Sequence, residues 1–340
     1  MRRQRDKVDI LAVAKAAGVS PATVSRAFNH PEIVKPPTRK RVEKAVAKLG
    51  YIRNRAAQTI HGRRSGTVGL IVPTITNSIF SEVVQAFSDQ ADQAGFAVLM
   101  ATHGYDLGRE LHVLRKFLEH RVDGVALIGL DHRDAAFTLL ERQGVPSVAM
   151  WSFDPASRLS CFGADNAEAG RLAAQHLLGL GHHRIGLAFA PTAQNERARY
   201  RGEGAMAALR EAQAPISDAW RIEAVYNVAL AKQAILNLLQ GEELPTALLC
   251  GNDIIAQGAL LAALHVGLSV PKDISIMGIG DFPGSADLEP GLCTVRIPAT
   301  RIGQSAGAHL AGAIRDGAAA TIHRERFDVA LRVRATTAPP

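Results

Sequence analysis

At 340 residues the chain is long for a single core and suits two or three domains. It is 47% apolar and 21% charged, with no uninterrupted run near twenty apolar residues and no apolar leader behind Met1-Arg-Arg-Gln-Arg-Asp-Lys7, so neither membrane insertion nor export is expected. The net charge of +7 hides an asymmetry. Residues 1–65 hold sixteen Lys/Arg and four Asp/Glu, a net of +12; the remaining 275 hold twenty-three and twenty-eight, a net of −5. A basic head on an acidic body calls for an anionic partner of the head alone. Cys161, Cys250 and Cys293 are scattered without metal-ligand spacing, which predicts core thiols in a reduced cytoplasmic location, with no metal and no cofactor.

In the head, Ile10, Leu11, Val13, Ala14 and Ala17 follow helical spacing, and Gly18 ends that helix. Ser20 sits where an N-cap belongs and Pro21 at the first helical position, which predicts a second helix from Pro21 to Phe28. Val24 faces inward. Ala22, Thr23, Ser25, Arg26 and Asn29 are left outside. Two short helices around a glycine turn make a helix-turn-helix, whose second helix enters a DNA major groove. Pro36-Pro37 breaks the chain, and Thr38 is expected to cap a third helix with Val42, Ala45, Val46 and Leu49 inside. After Gly50-Tyr51-Ile52, Asn54 and Gly62 bracket a helix of roughly eight residues, too short to stand alone. Ile60 there is an apolar side chain in a basic linker, suited to wedging between base steps or to packing on the next domain.

These residues carry a resemblance. Ala17-Gly18-Val19-Ser20-Pro21-Ala22-Thr23-Val24-Ser25-Arg26, then Thr38 and Val42, then Gly50-Tyr51-Ile52 and Asn54-Arg55-Ala56, resemble the lactose-repressor (LacI/GalR) family, and the likeness continues along the chain. The resemblance implies base reading by Pro21, Ala22 and Arg26, and backbone contacts from Ser20, Thr23, Ser25, Asn29, Tyr51 and Asn54. It implies a wedge at Ile60, with Arg55 and Gln58 also facing DNA. Arg53 departs from the family's frequent proline. Arg26 has the fork geometry for guanine N7 and O6, whereas Ala22 offers only apolar contact.

From Gly66 onward the pattern changes. Strands 68–72, 96–100, 124–128 and 147–150 alternate with helices 79–94, 109–120 and 135–143. The alternation repeats with helices 167–180, 199–212, 230–240 and 254–266 and strands 185–190, 247–250 and 275–279. This predicts two parallel α/β lobes with a cleft outside the carboxyl ends of the strands. The expected fold is therefore α/β: an all-α helix-turn-helix domain (1–52), a linker with a short helix (53–65), and a two-lobed periplasmic-binding-protein-like domain (66–340). The resemblance implies a first lobe of about 66–164 and 298–327, and a second of about 165–294 and 328–340.

The strand ends nominate Asn77, Ile79, Phe80 and His103 as ligand contacts, and the resemblance adds Arg201, Tyr226, Asn252 and Asp281. Each has a plainer reading: Arg201 as a surface charge, Asn252-Asp253 as a helix cap, Phe80 as core. Arginine converging with a carboxamide and a carboxylate suits a polyhydroxylated or carboxylate ligand. His103-Gly104-Tyr105-Asp106 and Gly278-Ile279-Gly280-Asp281-Phe282 look most like gluconate-type repressors, which implies a sugar acid.

The sum is a regulator, not an enzyme: a homodimer on palindromic double-stranded operator DNA, controlled by a sugar or sugar acid such as gluconate. Two other readings weaken on inspection. A transport protein leaves the folded basic head idle. A hydrolase rests on Gly303-Gln304-Ser305-Ala306-Gly307, which lies in a helical pattern where a nucleophile elbow needs a strand end.

Overall fold

The computed structural model describes residues 8–52, 64–76, 78–317 and 321–340, without the Ile79 side chain. The short helix expected after Asn54, with Arg55, Gln58 and Ile60, lies outside the described residues, as does Asn77. The chain divides into residues 1–65 and 66–340.

In the first unit, α1 (Ile10–Ala17) is capped by Asp9, whose Oδ1 accepts the Ala12 N–H at 2.8 Å. Gly18 closes the helix at φ 64°, a left-handed conformation that a side chain at this position would strain. Ser20 caps α2 (Pro21–Asn29) by accepting the Thr23 N–H at 3.2 Å. The third helix, α3 (Pro36–Leu49), begins earlier than expected. Thr38 lies inside it, and Lys35 occupies the cap position without a side-chain bond. The two prolines open the helix because first-turn N–H groups lack intrahelical acceptors anyway, and their φ is already helical. Val13, Ala14, Ala17, Val24, Val42 and Ala45 form the core, with Phe28 and Tyr51 against it.

The second unit runs β1 (Thr67–Val72), a 3₁₀ turn (Ser78–Phe80), α4 (Ser81–Gln93), β2 (Ala97–Thr102), α5 (Leu107–Glu119), β3 (Gly124–Ile128), α6 (Asp134–Gln143), β4 (Ser147–Ser152) and β5 (Ser160–Ala164). It continues with α7 (Asn166–Gly179), β6 (Ile185–Phe189), α8 (Glu196–Glu211), β7 (Arg221–Glu223), α9 (Val228–Leu239), β8 (Ala247–Cys250), α10 (Asp253–His265), β9 (Ser275–Gly280) and β10 (Cys293–Arg296). The chain closes with α11 (Ala299–Asp316), β11 (Arg324–Phe327) and β12 (Ala330–Arg332).

Among the described residues two six-stranded sheets result, ordered β11-β5-β4-β3-β1-β2 and β12-β10-β9-β8-β6-β7. All neighbours are parallel except β10 and β12. The chain passes between sheets three times, after β5, after β10 and after β11. Strand order reverses between β1 and β3 in one sheet and between β6 and β8 in the other; open α/β sheets bind ligands in such crevices.

Helix contacts explain the small residues. A Cβ at Gly303 or Gly307 would meet α4 at Val83, Ala86 or Gln90, so the serine-hydrolase-like motif is a close helix crossing inside α11. Likewise, a Cβ at Gly170 or Gly204 would strike backbone of the facing helix, which lets α7 and α8 touch main chain to main chain.

Candidate nucleic-acid interface and ligand cleft

On α2 the inward residue is Val24, fully buried, while Pro21, Ala22 and Arg26 are exposed. Thr23 Oγ1 lies 2.9 Å from Ser20 Oγ, and Asn29 Nδ2 donates to Ser25 Oγ at 3.1 Å. The polar face is thus braced internally, with Arg26 projecting beyond it. Tyr51 packs against Phe28 with ring centroids 6.2 Å apart, tying the chain after α3 to the end of α2.

Between the lobes lies a cavity of about 310 Å³. Thr74, Thr76 and Tyr105 line it from the first lobe, and Pro191, Asn195 and Tyr226 from the second. Tyr105 and Tyr226 face each other at 5.7 Å, and Asn195 Nδ2 donates to the Tyr226 hydroxyl at 3.2 Å. Behind this cavity a chain of hydrogen bonds crosses the lobes. Arg201 Nε donates to Asn166 Oδ1 (2.9 Å), Asn166 Nδ2 to Ser152 Oγ (3.2 Å), and Ser152 Oγ to Glu196 Oε1 (2.8 Å). Arg197 Nη1 completes it by donating to both Glu196 oxygens, at 3.1 and 3.2 Å. Burial pushes the Glu196 carboxyl upward, but Arg197, Ser152 and the Leu130 N–H outweigh it and hold the group below its ordinary value. Burial lowers the Arg201 pKa most and the like charge of Arg197 lowers it further, while Tyr226 and Asp253 partly restore it.

The chamber around Arg197 is rich in donors. The guanidinium lies 5.9 Å from the Phe80 ring centroid and 6.0 Å from that of Tyr105. The Tyr105 hydroxyl and Trp151 Nε1 are buried without a hydrogen-bond partner among the described residues. Burial keeps the Tyr105 hydroxyl protonated. It also drives the His103 pKa down, against the opposing charge of Glu110, so the imidazole is neutral at pH 7. Unpaired buried donors are costly unless a ligand supplies acceptors.

The nominated residues do not all converge. Phe80 packs edge-on against Trp151 at 5.1 Å. Arg201 is buried, with Nη1 also donating to the Gly251 carbonyl at 2.9 Å, so the surface-charge reading of it is corrected. The plainer reading of Asn252 describes its geometry: Oδ1 accepts the Ile255 N–H at 3.0 Å and caps α10. Asp281 turns to the crossover instead, accepting from Arg334 Nη2 at 2.7 Å and Arg296 Nη1 at 3.1 Å. Sequence reasoning missed Glu196, Arg197, Ser152 and Trp151.

A model of the LacI family of bacterial regulatory proteins matches residues 9–54, and one of periplasmic-binding-protein-like domains matches residues 174–337. The regulator GntR of Pseudomonas aeruginosa is 33% identical over 302 residues, covering 88% of this chain and 87% of its own. The chain belongs to the LacI family. The repressor PurR of Aliivibrio salmonicida is 33% identical over 307 residues, covering 89% of this chain and 91% of its own. The lac repressor dimer, solved on its operator with an anti-inducer, superposes with a TM-score of 0.84 at 28% identity, covering 98% of this chain and all of that one. The protein is accordingly a DNA-binding transcriptional regulator and not an enzyme. His182 is buried in this LacI-family chain and bonds Thr246, Ser275 and the Ala338 carbonyl. No helix among the described residues is long and apolar enough to cross a membrane.

Proposed function

We propose that this regulator binds a near-palindromic operator as a homodimer and that a sugar acid such as gluconate, bound between the lobes, alters its hold on DNA. The observation that carries the DNA half is the exposed face of α2, with Arg26 free to reach base edges from a head of net charge +12. Twofold symmetry places two such helices in successive major grooves, which is why the site should be palindromic. Ser20, Pro21, Ala22, Thr23, Ser25, Asn29 and Tyr51 serve the same face. Asn54, Arg55, Gln58 and Ile60 are assigned to DNA on family likeness alone.

The cleft half rests on the donor-rich chamber. Arg197, the Tyr105 hydroxyl and Trp151 Nε1 suit a carboxylate, while Asn195, Thr74 and Thr76 suit hydroxyl groups. Asn77, Ile79, His103 and Tyr226 are assigned to the same wall. The effector changes operator affinity through a coupling free energy of about 1–3 kcal/mol.

Fluorescence anisotropy on the protein's own upstream DNA tests the reading, comparing the full chain with residues 66–340. The full chain should bind and residues 66–340 should not; equal binding would remove the head from the account. Arg26→Ala should cost about 1–3 kcal/mol of specific binding and leave nonspecific binding nearly intact. Differential scanning fluorimetry should show stabilisation by D-gluconate exceeding that by D-glucose.

A further inference from the structure

One short segment of the second lobe supplies several of the polar bonds that join the lobes across the cleft. Gln194 Oε1 accepts the Leu107 N–H, the first amide of α5, at 3.0 Å. Glu196 Oε1 accepts the Leu130 N–H at 3.1 Å, as well as the Ser152 hydroxyl. Arg199 forms a bidentate pair with Asp131, Nη1 to Oδ2 at 3.2 Å and Nη2 to Oδ1 at 3.1 Å. Arg197 fills a notch that exists only because residue 129 is glycine. A Cβ there would meet Arg197 Nη1 and Glu196, and the backbone sits at φ 94°.

These anchors take hold at the first lobe's own ligand crevice. Gly129 and Leu130 follow β3, and Phe80 follows β1, the two strands between which strand order reverses. The first turn of α8 therefore occupies, from the opposite lobe, the ground where such a sheet receives a ligand. The backbone is tensioned to present it. Six non-glycine residues among those described have positive φ, and Gln194, Tyr105 and Trp151 are three of them, at 57°, 63° and 82°. Such conformations persist only where surrounding contacts hold them.

We infer that residues 194–199 form a clasp that draws the two lobes together, so that a ligand enters only after the clasp lets go. Glu196 acts as a resident anion for Arg197 and the first-lobe strand ends. The clasp sets the balance of open and shut cleft, and with it the operator affinity before any effector arrives. This goes beyond the proposed function in naming how its cleft is regulated, and its test uses no sugar, so a mistaken ligand assignment leaves the test intact.

The test is residue-resolved hydrogen exchange on the full chain without ligand. The Leu107 and Leu130 amides, whose acceptors are clasp side chains, should be protected in the wild type. In a Gln194→Ala/Arg199→Ala variant, which alters one exposed and one partly exposed side chain, they should exchange at least tenfold faster. Amides inside β3, bonded to β1 and β4, should keep their rates. X-ray scattering should show a larger radius of gyration for the variant. Glu196→Gln, which keeps the side-chain volume, should move in the same direction. Unprotected Leu107 and Leu130 amides in the wild type would overturn the clasp. So would a variant indistinguishable from it in exchange and scattering.

Discussion

Replacing Asp253 with alanine is expected to cost about 3–5 kcal/mol, the largest loss of stability from any single substitution considered. The carboxylate is wholly buried and ties three strand ends together. Oδ2 accepts the Ser285 hydroxyl at 2.6 Å and the Phe282 N–H at 2.9 Å; Oδ1 accepts the Thr294 hydroxyl at 2.6 Å. Alanine leaves those donors buried and unmet, each worth about 1–3 kcal/mol. Calorimetry should show the second unit melting roughly 6–20 °C lower. Asp253→Asn should behave differently, because it keeps an acceptor for Phe282 and carries no charge. Burial pushes the Asp253 carboxyl above its ordinary value, with the Ser285, Thr294 and Phe282 donors opposing it. An acid raised on folding favours the native state below its unfolded pKa and loses that contribution as pH rises through the folded one. Asp253→Asn should therefore gain on the wild type as pH climbs from about 4, a value set by the ordinary Asp pKa. A constant difference in melting temperature across that range would refute the assignment.

Arg197→Gln is expected to weaken D-gluconate binding by about 10–100-fold, the loss of charge-assisted hydrogen bonds worth about 1.5–3 kcal/mol. Titration calorimetry should show a much smaller change for a neutral sugar. Equal losses for both would mean that Arg197 shapes the wall without receiving a charge. Arg201 is the poorer probe, although its sequence position nominates it. Its guanidinium spans Asn166 Oδ1 and the Gly251 carbonyl, so alanine there strips partners from two buried groups and destabilises the lobe along with any ligand effect.

The contrast between these two arginines shows what the sequence conveys. The head was legible because local signals agree: Ser20 with Pro21, Gly18 at a left-handed turn, and an apolar stripe at helical spacing. The alternation of strands and helices was equally plain. The cleft was only half legible, and the reason lies at the start of α8. Apolar periodicity places that start at Arg199, but Asn195 caps the helix three residues earlier, accepting the Ala198 N–H at 3.4 Å. Glu196 and Arg197 thereby move from a presumed loop into the first turn. Asn195 followed by Glu196 was the available signal, a capping residue with an acid in the first turn. The strands β5, β7, β10, β11 and β12 were overlooked; all but β5 have no more than four residues, too few to show an alternation of their own. Asn252-Asp253 shows a different limit. Sequence marks a cap at that dipeptide, yet only the fold reveals that Asn252 does the capping while Asp253 secures Ser285 and Thr294, which lie more than thirty residues further along the chain.

Nuclease footprinting of the full chain on its own upstream DNA bears most directly on the central claim, that the basic head reads a defined duplex sequence. The account predicts one protected near-palindrome, with half-sites about one helical turn apart or a multiple of it. Protection should be lost in Arg26→Ala and altered by D-gluconate in the wild type. Uniform protection of any duplex, unchanged by Arg26→Ala, would contradict it.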